Sequence, residues 1–246
     1  MPGQWLFGIC LLLVIWQLAA HHYASDLLLP PPRKTLVALV QAVQKPEIIN
    51  NLLITLRRVA TGFIYAVVIG LPLGYLMGYS KAALKILEPI VSSLRQVPIM
   101  AWVPLTIVWF GLGDGPTVFL IAFSGVFPIL LNTIAGVQSI SQDYYNAARS
   151  MGAGPVSILL HIIVPGSLPD VLTGMRLGLG AGWMSVICAE FIATSAGFGF
   201  AMVEAQTRMQ TDTLIALMII SALVGFTMDS GIRLFRRIVT RWQGVY

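Results

Sequence analysis

Long apolar runs, separated by short polar segments, dominate the sequence. The six runs occupy residues 5–20, 52–79, 97–112, 117–137, 171–194 and 213–232. A helix that crosses the roughly 30 Å hydrocarbon core of a bilayer needs about 20 mainly apolar residues. The pattern therefore predicts an all-α polytopic membrane protein with about six transmembrane helices. An even number of spans would place both termini on the same side of the membrane.

Composition agrees with this class and excludes several others. Of the 246 residues, 57% are hydrophobic and 10% are charged, whereas a soluble domain carries about 25% charged residues. The mean hydropathy is +0.83. These values exclude an ordinary soluble enzyme, a disordered chain and a fibrous repeat. The net charge is +5. In a membrane protein an excess of basic residues usually sets the orientation of the spans, so we expect no nucleic-acid partner.

The first 50 residues form a separate unit. Residues 5–20 could be a signal peptide, but the preceding MPGQ supplies no basic residue, so we expect a retained span. Three prolines at 30–32 then interrupt any helix. Leu36, Leu39, Val40 and Val43 follow at helical spacing, on a segment too short to span, which predicts an interfacial helix. We divide the chain into residues 1–50, a transmembrane domain at 51–236 and a basic tail at 237–246.

The placement of basic residues favours a cytoplasmic C-terminus. With the tail inside, nine of the fifteen Lys and Arg residues lie on the inner side. Arg57 and Arg58 fall near the outer start of the second span, where they would snorkel or line a hydrated route. Two arginines at an outer mouth favour an anionic solute.

The longest inner loop, residues 138–170, has the features of a helix–turn–helix at the membrane surface. Ser141 is a suitable N-cap, Gly152 suits the position after the helix, and Pro155 can start a second helix. Pro165 and Pro169 are expected to end that second helix before the fifth span. Ala147 and Ala148 would leave a bare surface for a partner; the alternative is an amphipathic loop with no partner.

The same loop carries a specific motif. It has Asn146-Ala147-Ala148, three residues, Gly152, nine residues, Ile162, one residue, then Val164-Pro165. This spacing resembles the EAA motif of the inner-membrane permeases of binding-protein-dependent ABC importers. Asn146 stands where the motif has Glu, and Val164 where it has Leu. Across residues 50–243 the chain is similar to the branch that carries taurine, alkanesulfonates, nitrate and bicarbonate.

The resemblance implies a type I ABC importer permease fold and a set of partners. These are a second permease copy, two ATPase subunits, a solute-binding protein outside the cell, and the lipids of a bacterial inner membrane. The inner loop would be the coupling helix, with Asn146, Ala147, Ala148, Gly152, Ile162 and Pro165 at the ATPase contact. ATP and Mg would be held by the ATPase. The chain itself contains no G-x-x-x-x-G-K-[ST] motif, so we expect no cofactor and no catalytic residue on it.

A few charged residues fall inside the predicted spans, where they are costly and often functional. Glu190 is expected to pair with Arg57, Arg58 or Arg208, or to contact solute, which makes Arg57, Arg58 and Glu190 candidates for a pathway or gate. Asp229 is expected to pair with Arg233 four residues later. Arg176 is expected to face lipid headgroups or a partner.

Two other classes of membrane protein, a secondary transporter and a membrane-embedded enzyme, fit the sequence less well than the importer permease. A secondary transporter would show internal repeats and more charge near the middle of the membrane, and the sequence shows neither clearly. A membrane-embedded enzyme would need a catalytic motif that is missing. Cys10 and Cys188 lie apart in apolar runs and His21 and His22 have no nearby ligands, so no metal site is predicted.

Overall fold

A computed structural model describes residues 2–240, with side chains from residue 7 onward. Every regular element in that range is helical, in agreement with the predicted all-α fold. The first six helices are α1 (Pro2–Tyr23), α2 (Pro32–Gln44), α3 (Pro46–Tyr79), α4 (Lys81–Gln96), α5 (Ile99–Phe110) and α6 (Asp114–Gln138). They are followed by α7 (Gln142–Ser150), α8 (Pro155–Ile158), α9 (Val164–Ala193), α10 (Phe198–Thr207) and α11 (Thr211–Val239). The last part of the predicted basic tail, residues 241–246, lies outside the described range.

Among the described residues, four helical units are long and apolar enough to cross a membrane by themselves: α3, α6, the α8–α9 unit and α11. The third predicted span is wrong as a single helix. Its α5 has 12 residues, about 18 Å at 1.5 Å per residue, which is too short for a bilayer. The segment that precedes it carries Lys81, Lys85 and Arg95 and forms α4. The two helices meet at a bend of 95°. Counted together they make a fifth span.

The first apolar run is helical but stands apart from the bundle. Its apolar part, Phe7–Tyr23, is shorter than the four spans, and most of its large side chains are exposed. A polar contact joins it to the segment before α2, because the indole Nε1 of Trp16 donates to the carbonyl of Pro30 at 3.0 Å.

The centre of the bundle is α6, which packs along α3 on one side and α9 on the other. Small residues on α3 recur every four positions and face a matching row on α6. A Cβ added at Gly62 would lie 2.6 Å from Ile121, and one at Gly74 would lie 2.6 Å from Thr133. Ala66 meets Gly125 in the same way. Each pair is offset by 59 positions, so α3 and α6 run parallel with their backbones in close approach.

The contact between α6 and α9 uses the same device in antiparallel orientation. A Cβ at Gly174 would lie 2.9 Å from the carbonyl of Pro128, and one at Gly178 would lie 2.8 Å from that of Gly125. The glycines near the end of the second apolar run therefore allow close packing of α3 against α6. The helix itself continues through Pro72 to Tyr79.

The predicted break before the fifth span is absent. The chain runs from Pro155 to Ala193 as one helical unit of 39 residues, with a π-helical turn at Leu159–Ile163. Pro165 has no N–H, and in a regular α-helix its ring would clash with the carbonyl four residues earlier. The wider turn lies directly before Pro165, and in it Val164 donates to the carbonyl of Leu159. We attribute the continuity of the helix to that turn, which absorbs the proline locally.

Two elements pack in unexpected ways at the opposite end of the bundle. The predicted interfacial helix, α2, buries the small side chains of Thr35, Ala38 and Ala42 against the bundle, and its bulkier Leu36 and Val40 are exposed. The polar, Gly-containing segment between the fifth and sixth apolar runs, residues 195–212, contains a further helix, α10. That helix buries its own apolar residues with Ala42 of α2 and with residues of α11, in a cluster that comprises Phe198, Ala201, Met202, Ala205, Leu217 and Ile220.

We expect the α3–α6 contact to be sensitive to one methyl group. In Gly74→Ala the new Cβ would lie 2.6 Å from the Cβ of Thr133 and 3.0 Å from a backbone oxygen, so the helices must separate. Overpacking of this kind costs about 1–3 kcal/mol. Gly180→Ala is the matched control in α9, because a Cβ there meets nothing within 4 Å. Thermal unfolding in detergent should show a lower Tm for Gly74→Ala only; equal Tm values would contradict the packing argument.

Candidate functional site: the α7–α8 hairpin and the buried charge cluster

Features of possible functional importance lie at both ends of the bundle. At one end α7 and α8 form a helical hairpin between the end of α6 and the start of α9. At the other end, charged residues of α3, α6 and α9 meet. The sequence pointed to both, and the structure supplies their geometry.

The hairpin is capped as the sequence predicts. The side-chain oxygen of Ser141 accepts from the N–H of Asp143 at 3.3 Å, which satisfies one free donor at the start of α7. Gly152 has φ +81°, a left-handed conformation that glycine adopts without strain. Beyond it, Ala153 donates to the carbonyl of Ala148 at 2.9 Å, a Schellman-type end to the helix. Pro155 then begins α8.

Apolar packing holds the hairpin to the bundle. Tyr145 and Ile158 are buried with Val137 at the end of α6 and Ile163 before α9. Burial raises the pKa of the Tyr145 phenol above its usual range, and nearby Tyr79 adds to the rise, so the ring stays neutral at physiological pH. Because both arms of the hairpin share this cluster, the hairpin is anchored to the ends of two central helices.

The predicted coupling residues divide into two groups in the structure. Asn146, Ala147, Gly152 and Pro165 are exposed, whereas Ala148 and Ile162 are half-buried. Both half-buried residues pack on the Tyr145 cluster. Of the two alanines predicted to form a bare surface, only Ala147 lies open to solvent, and Ala148 helps to attach the hairpin.

Sequence reasoning missed an apolar stripe on the outer face of α7. Tyr144 and Met151 flank Ala147 at helical spacing and are 65% and 88% exposed. Val156 extends the apolar surface onto α8 and is 67% exposed. The signal was present as the i, i+3, i+7 pattern of 144, 147 and 151. An exposed apolar surface on a rigid hairpin is typical of a protein-binding site.

At the opposite end, Glu190 of α9 is fully buried and Arg58 of α3 is 6% exposed. The Nη1 atom of Arg58 donates to Oε1 of Glu190 at 2.8 Å. The hydroxyl of Thr55 lies 2.8 Å from both carboxylate oxygens, and the N–H of Gly199 donates to Oε2 at 2.8 Å. Both carboxylate oxygens of Glu190 therefore have hydrogen-bond partners inside the bundle.

The same cluster organises the start of α10. Thr55 Oγ1 accepts from the N–H of Phe198 at 2.7 Å, so a free donor of the first turn of α10 is paired with α3. Gly197, with φ +124°, lies so close that an added Cβ would be 2.4 Å from the Glu190 carboxylate. No side chain fits there. Position 197 therefore requires glycine for space as well as for conformation.

Arg58 also reaches the solvent-facing side. Its Nε donates to Oδ1 of Asp114 at 2.7 Å, and Nη1 also donates to the carbonyl of Ala196 at 2.7 Å. Asp114 begins α6 and is 63% exposed. One guanidinium thus joins the turn between α5 and α6 to the loop between α9 and α10. The GLGDG segment at residues 111–115, which by its composition is a tight turn, therefore also supplies Asp114 to this cluster.

The remaining predicted partners are placed as follows. Arg58 is the partner of Glu190, whereas Arg208 pairs with Glu204 four residues earlier, and Arg57 is exposed on α3. The expected Asp229–Arg233 pair is present at 3.3 Å. Arg176 was expected to face headgroups or a partner; instead it forms an ion pair with Asp229 across α9 and α11.

We expect Glu190→Gln to destabilise the protein strongly. It would leave the guanidinium of Arg58 buried without its interior counter-charge, and breaking one side of a buried pair costs about 3–5 kcal/mol. Glu204→Gln is the matched control, because its pair with Arg208 is exposed and such pairs contribute about 0–1 kcal/mol. The Tm in detergent should fall for Glu190→Gln and stay near the wild-type value for Glu204→Gln. Equal values would mean that the buried pair contributes little.

Comparison with protein families matches residues 66–241 to the binding-protein-dependent transport system inner membrane component family. Among curated proteins, the taurine transport system permease protein TauC of Escherichia coli is 36% identical, over 95% of this chain and 87% of that protein. The nitrate import permease protein NrtB of Synechocystis is 30% identical, over 94% of this chain and 87% of that protein.

Among solved structures, the inward-facing MetNI methionine ABC transporter contains a chain of the same fold. The two superpose with a TM-score of 0.69 over 78% of this chain and 95% of that chain, at 18% sequence identity. The fold, the family match and the two relatives agree with the motif in the hairpin. The chain belongs to the inner-membrane permease family of binding-protein-dependent ABC importers.

Proposed function

We propose that this chain works as a homodimer with two ATPase subunits and an external solute-binding protein, and imports a small anion across a bacterial inner membrane. The observation that carries the proposal is the α7–α8 hairpin, which presents an apolar stripe and is anchored to α6 and α9. The rest of the proposal follows from what such a hairpin can transmit.

The hairpin is suited to transmit motion. Tyr145 and Ile158 pack against Val137 of α6 and Ile163 before α9, so displacement of the hairpin moves both helices. The backbone of α6 lies close to those of α3 and α9. When the hairpin moves, these three helices would therefore shift as packed, rigid elements rather than bend. ATP can drive the change only if the ATPase binds two arrangements of the hairpin with different affinity.

We assign the predicted coupling residues to two roles. Asn146, Ala147 and Gly152 lie on the exposed surface that the ATPase would contact, together with Tyr144 and Met151. Ala148 and Ile162 fix the hairpin to the bundle, and Pro165 follows the π turn that joins α8 to α9. The small, exposed side chain of Ala147 would let a partner approach the backbone of α7.

The chemistry that drives transport belongs to the ATPase in this proposal. The chain carries no G-x-x-x-x-G-K-[ST] segment, which is the sequence that cradles nucleotide phosphates in such ATPases. ATP and Mg would therefore bind to the partner. This assignment puts the hairpin end and the end of α11 in the cytoplasm, and it puts the Arg58–Glu190 cluster toward the solute-binding protein. Both termini then lie in the cytoplasm when α1, with its 22 helical residues, is counted as a sixth crossing.

We assign the Arg58–Glu190 cluster a gate-stabilising role. Both carboxylate oxygens of Glu190 are already paired, so a solute would have to displace internal contacts to reach them. The cluster connects α3, α6, α9 and α10 at the outer end, where it would keep these elements together while the inner end moves. Arg57 is exposed nearby and could attract anions to the mouth.

An anionic solute is favoured by the relatives. TauC is named for taurine and NrtB for nitrate, and both compounds carry an anionic oxygen group. The exposed Arg57 at the outer mouth agrees with that class through its charge.

We expect Ala147→Glu to abolish coupling without unfolding the permease. Ala147 is exposed beside Tyr144 and Met151, so a charge there would block docking but leave the bundle intact. Ala147→Ser is the size-matched control and should retain ATPase binding. Ala148→Glu should instead lower the Tm, because Ala148 packs on the Tyr145 cluster.

The measurements are co-purification with the ATPase, ATP-dependent uptake in proteoliposomes, and Tm. Normal assembly and uptake by Ala147→Glu would rule out this surface as the ATPase contact. A folding defect in Ala147→Glu would show that the side chain is not free in the native protein.

We expect the reconstituted complex to take up a small solute with an anionic oxygen group, such as nitrate or the sulfonate taurine, in an ATP-dependent way, and not choline. Affinity measurements on the cognate binding protein should give the same order of preference. Transport of choline with no transport of any tested anion would reject the anionic assignment while leaving the permease role intact.

A further inference from the structure

A cavity of about 540 Å³ opens between the α4–α5 bend, α6 and α9. Its walls are largely apolar, with Phe123, Phe127 and Leu131 of α6 and Leu177 of α9. Three polar side chains also line it: Arg95, Ser124 and Asn132. A mainly apolar cavity with a few polar groups is the usual form of a small-molecule site.

The cavity lies within the depth of the bundle. Its residues on α6 run from Phe123 to Asn132, well inside a helix that extends from Asp114 to Gln138. Arg95 lies near the end of α4 and therefore lines a cavity between the transmembrane helices. Its position is set by the bend after α4, because Val97 and Pro98 of the bend line the same cavity.

Arg95 differs from the two paired arginines of the bundle, Arg58 and Arg176, in having no ion-pair partner among the described residues. Arg58 and Arg176 are each paired with a carboxylate. Within residues 7–240 no carboxylate forms an ion pair with Arg95, and its side chain is exposed. An arginine at membrane depth that faced only lipid would be costly. The guanidinium therefore requires water or an anion in this cavity.

The neighbouring groups suit a small anion. Asn132 donates one N–H to the carbonyl of Pro128 at 2.8 Å, which leaves its other N–H for a ligand. The hydroxyl of Ser124 donates to the carbonyl of Ile121 at 3.0 Å and lies 3.0 Å from that of Ser185, so it lines the cavity without a hydrogen to spare for an anion. The guanidinium has five N–H donors in a planar arrangement that matches the oxygens of a carboxylate, sulfonate or nitrate group.

We infer that this cavity is an anion-binding site on the transport route, with Arg95 as the contact that selects negative charge and with Asn132 as a hydrogen-bond donor. The inference rests on the proposed import function and names the residues that would execute it. It places solute recognition in the permease at a different position from Arg57, Arg58 and Glu190.

The first test measures access and local charge without any transport. Ser124→Cys is introduced into the assembled permease–ATPase complex, in a background with Cys10→Ser and Cys188→Ala. Labelling rates in membrane vesicles are compared for an anionic and a cationic methanethiosulfonate reagent. A positive charge nearby should favour the anionic reagent, by a factor on the order of ten. Val68→Cys is the control, because Val68 is exposed on α3 away from the cavity.

We expect Ser124→Cys to react and Val68→Cys to remain unlabelled. Adding Arg95→Gln should reduce the preference for the anionic reagent about tenfold, while Lys85→Gln on the same helix should leave it unchanged. An unreactive Ser124→Cys would show that the cavity is closed to water and would overturn the inference. An unchanged preference in Arg95→Gln would overturn the role of Arg95.

The second test measures uptake of taurine and nitrate by the reconstituted complex. Arg95→Gln should lower uptake by roughly tenfold to a hundredfold, the usual effect of losing a hydrogen bond to a charged group. Arg95→Lys should restore part of it, since the charge returns without the planar donors. ATPase co-purification and Tm should match wild type, because Arg95 has no ion-pair partner among the described residues.

The two proposals fail in different ways. If the wild-type complex carries no anion, the proposed solute class fails, whatever Arg95 does. If the wild-type complex carries anions and Arg95→Gln does so equally well, the import function stands and the cavity assignment fails.

Discussion

The structure depends on how closely α6 approaches its two neighbours. In a bilayer, water does not drive helices together, so van der Waals contact between backbones becomes the main source of helix association. Gly62, Gly74 and Gly78 on α3, and Gly174 and Gly178 on α9, leave no room even for a Cβ at these contacts. Three helices are thereby held as one packed unit, and every other element is attached to it.

The two candidate sites are placed by that unit. The hairpin is anchored by Val137, which lies one position before the end of α6 and beside Gly78 of α3. At the other end, Arg58 and Glu190 meet because α3 and α9 both lie against α6 near its start. A change in packing at one end would therefore be felt at the other. In the proposed orientation, a hairpin on the inner side and a charge cluster at the outer mouth would be linked through this one packed unit.

The cluster around Glu190 also explains why a polar segment is folded into the bundle. The segment that leads into α10 contains Ser195, Gly197 and Gly199, a composition that by itself indicates a turn. The Glu190 carboxylate and the Thr55 hydroxyl accept from the first N–H groups of α10, and this pairing removes the cost of burying them. Phe198 is then fully buried, so the helix is stabilised by partners that lie far away in the sequence.

Several features were accessible from local sequence because their causes are local. Ser141, Gly152 and Pro155 predict the hairpin correctly, since caps and turn conformations depend on single residues. The spacing of Asn146, Ala147, Ala148 and Gly152 identified the family. The pairing of Asp229 with Arg233 follows from helical spacing alone.

The features that were missed depend on distant contacts. Pro165 does not end the helix, because a π turn accommodates it within a packed unit. The third apolar run does not span alone, because α4 and α5 bend by 95°, and the cavity beside Arg95 exists only as a result of that bend. Which of Arg57, Arg58 and Arg208 would reach Glu190 was also undecided, since helical rotation is set by packing.

The sequence by itself determined the membrane class, the family and the position of the hairpin, because hydropathy, capping and motif spacing are properties of neighbouring residues. Only the tertiary structure decided that Arg58 forms a buried ion pair with Glu190 and that Arg95 lines a cavity. It also decided that Ala148 packs against the bundle while Ala147 is exposed. The physical reason is that burial and charge pairing depend on how α3, α6 and α9 are rotated against one another, and backbone contacts between residues as far apart as Gly62 and Ile121 set that rotation.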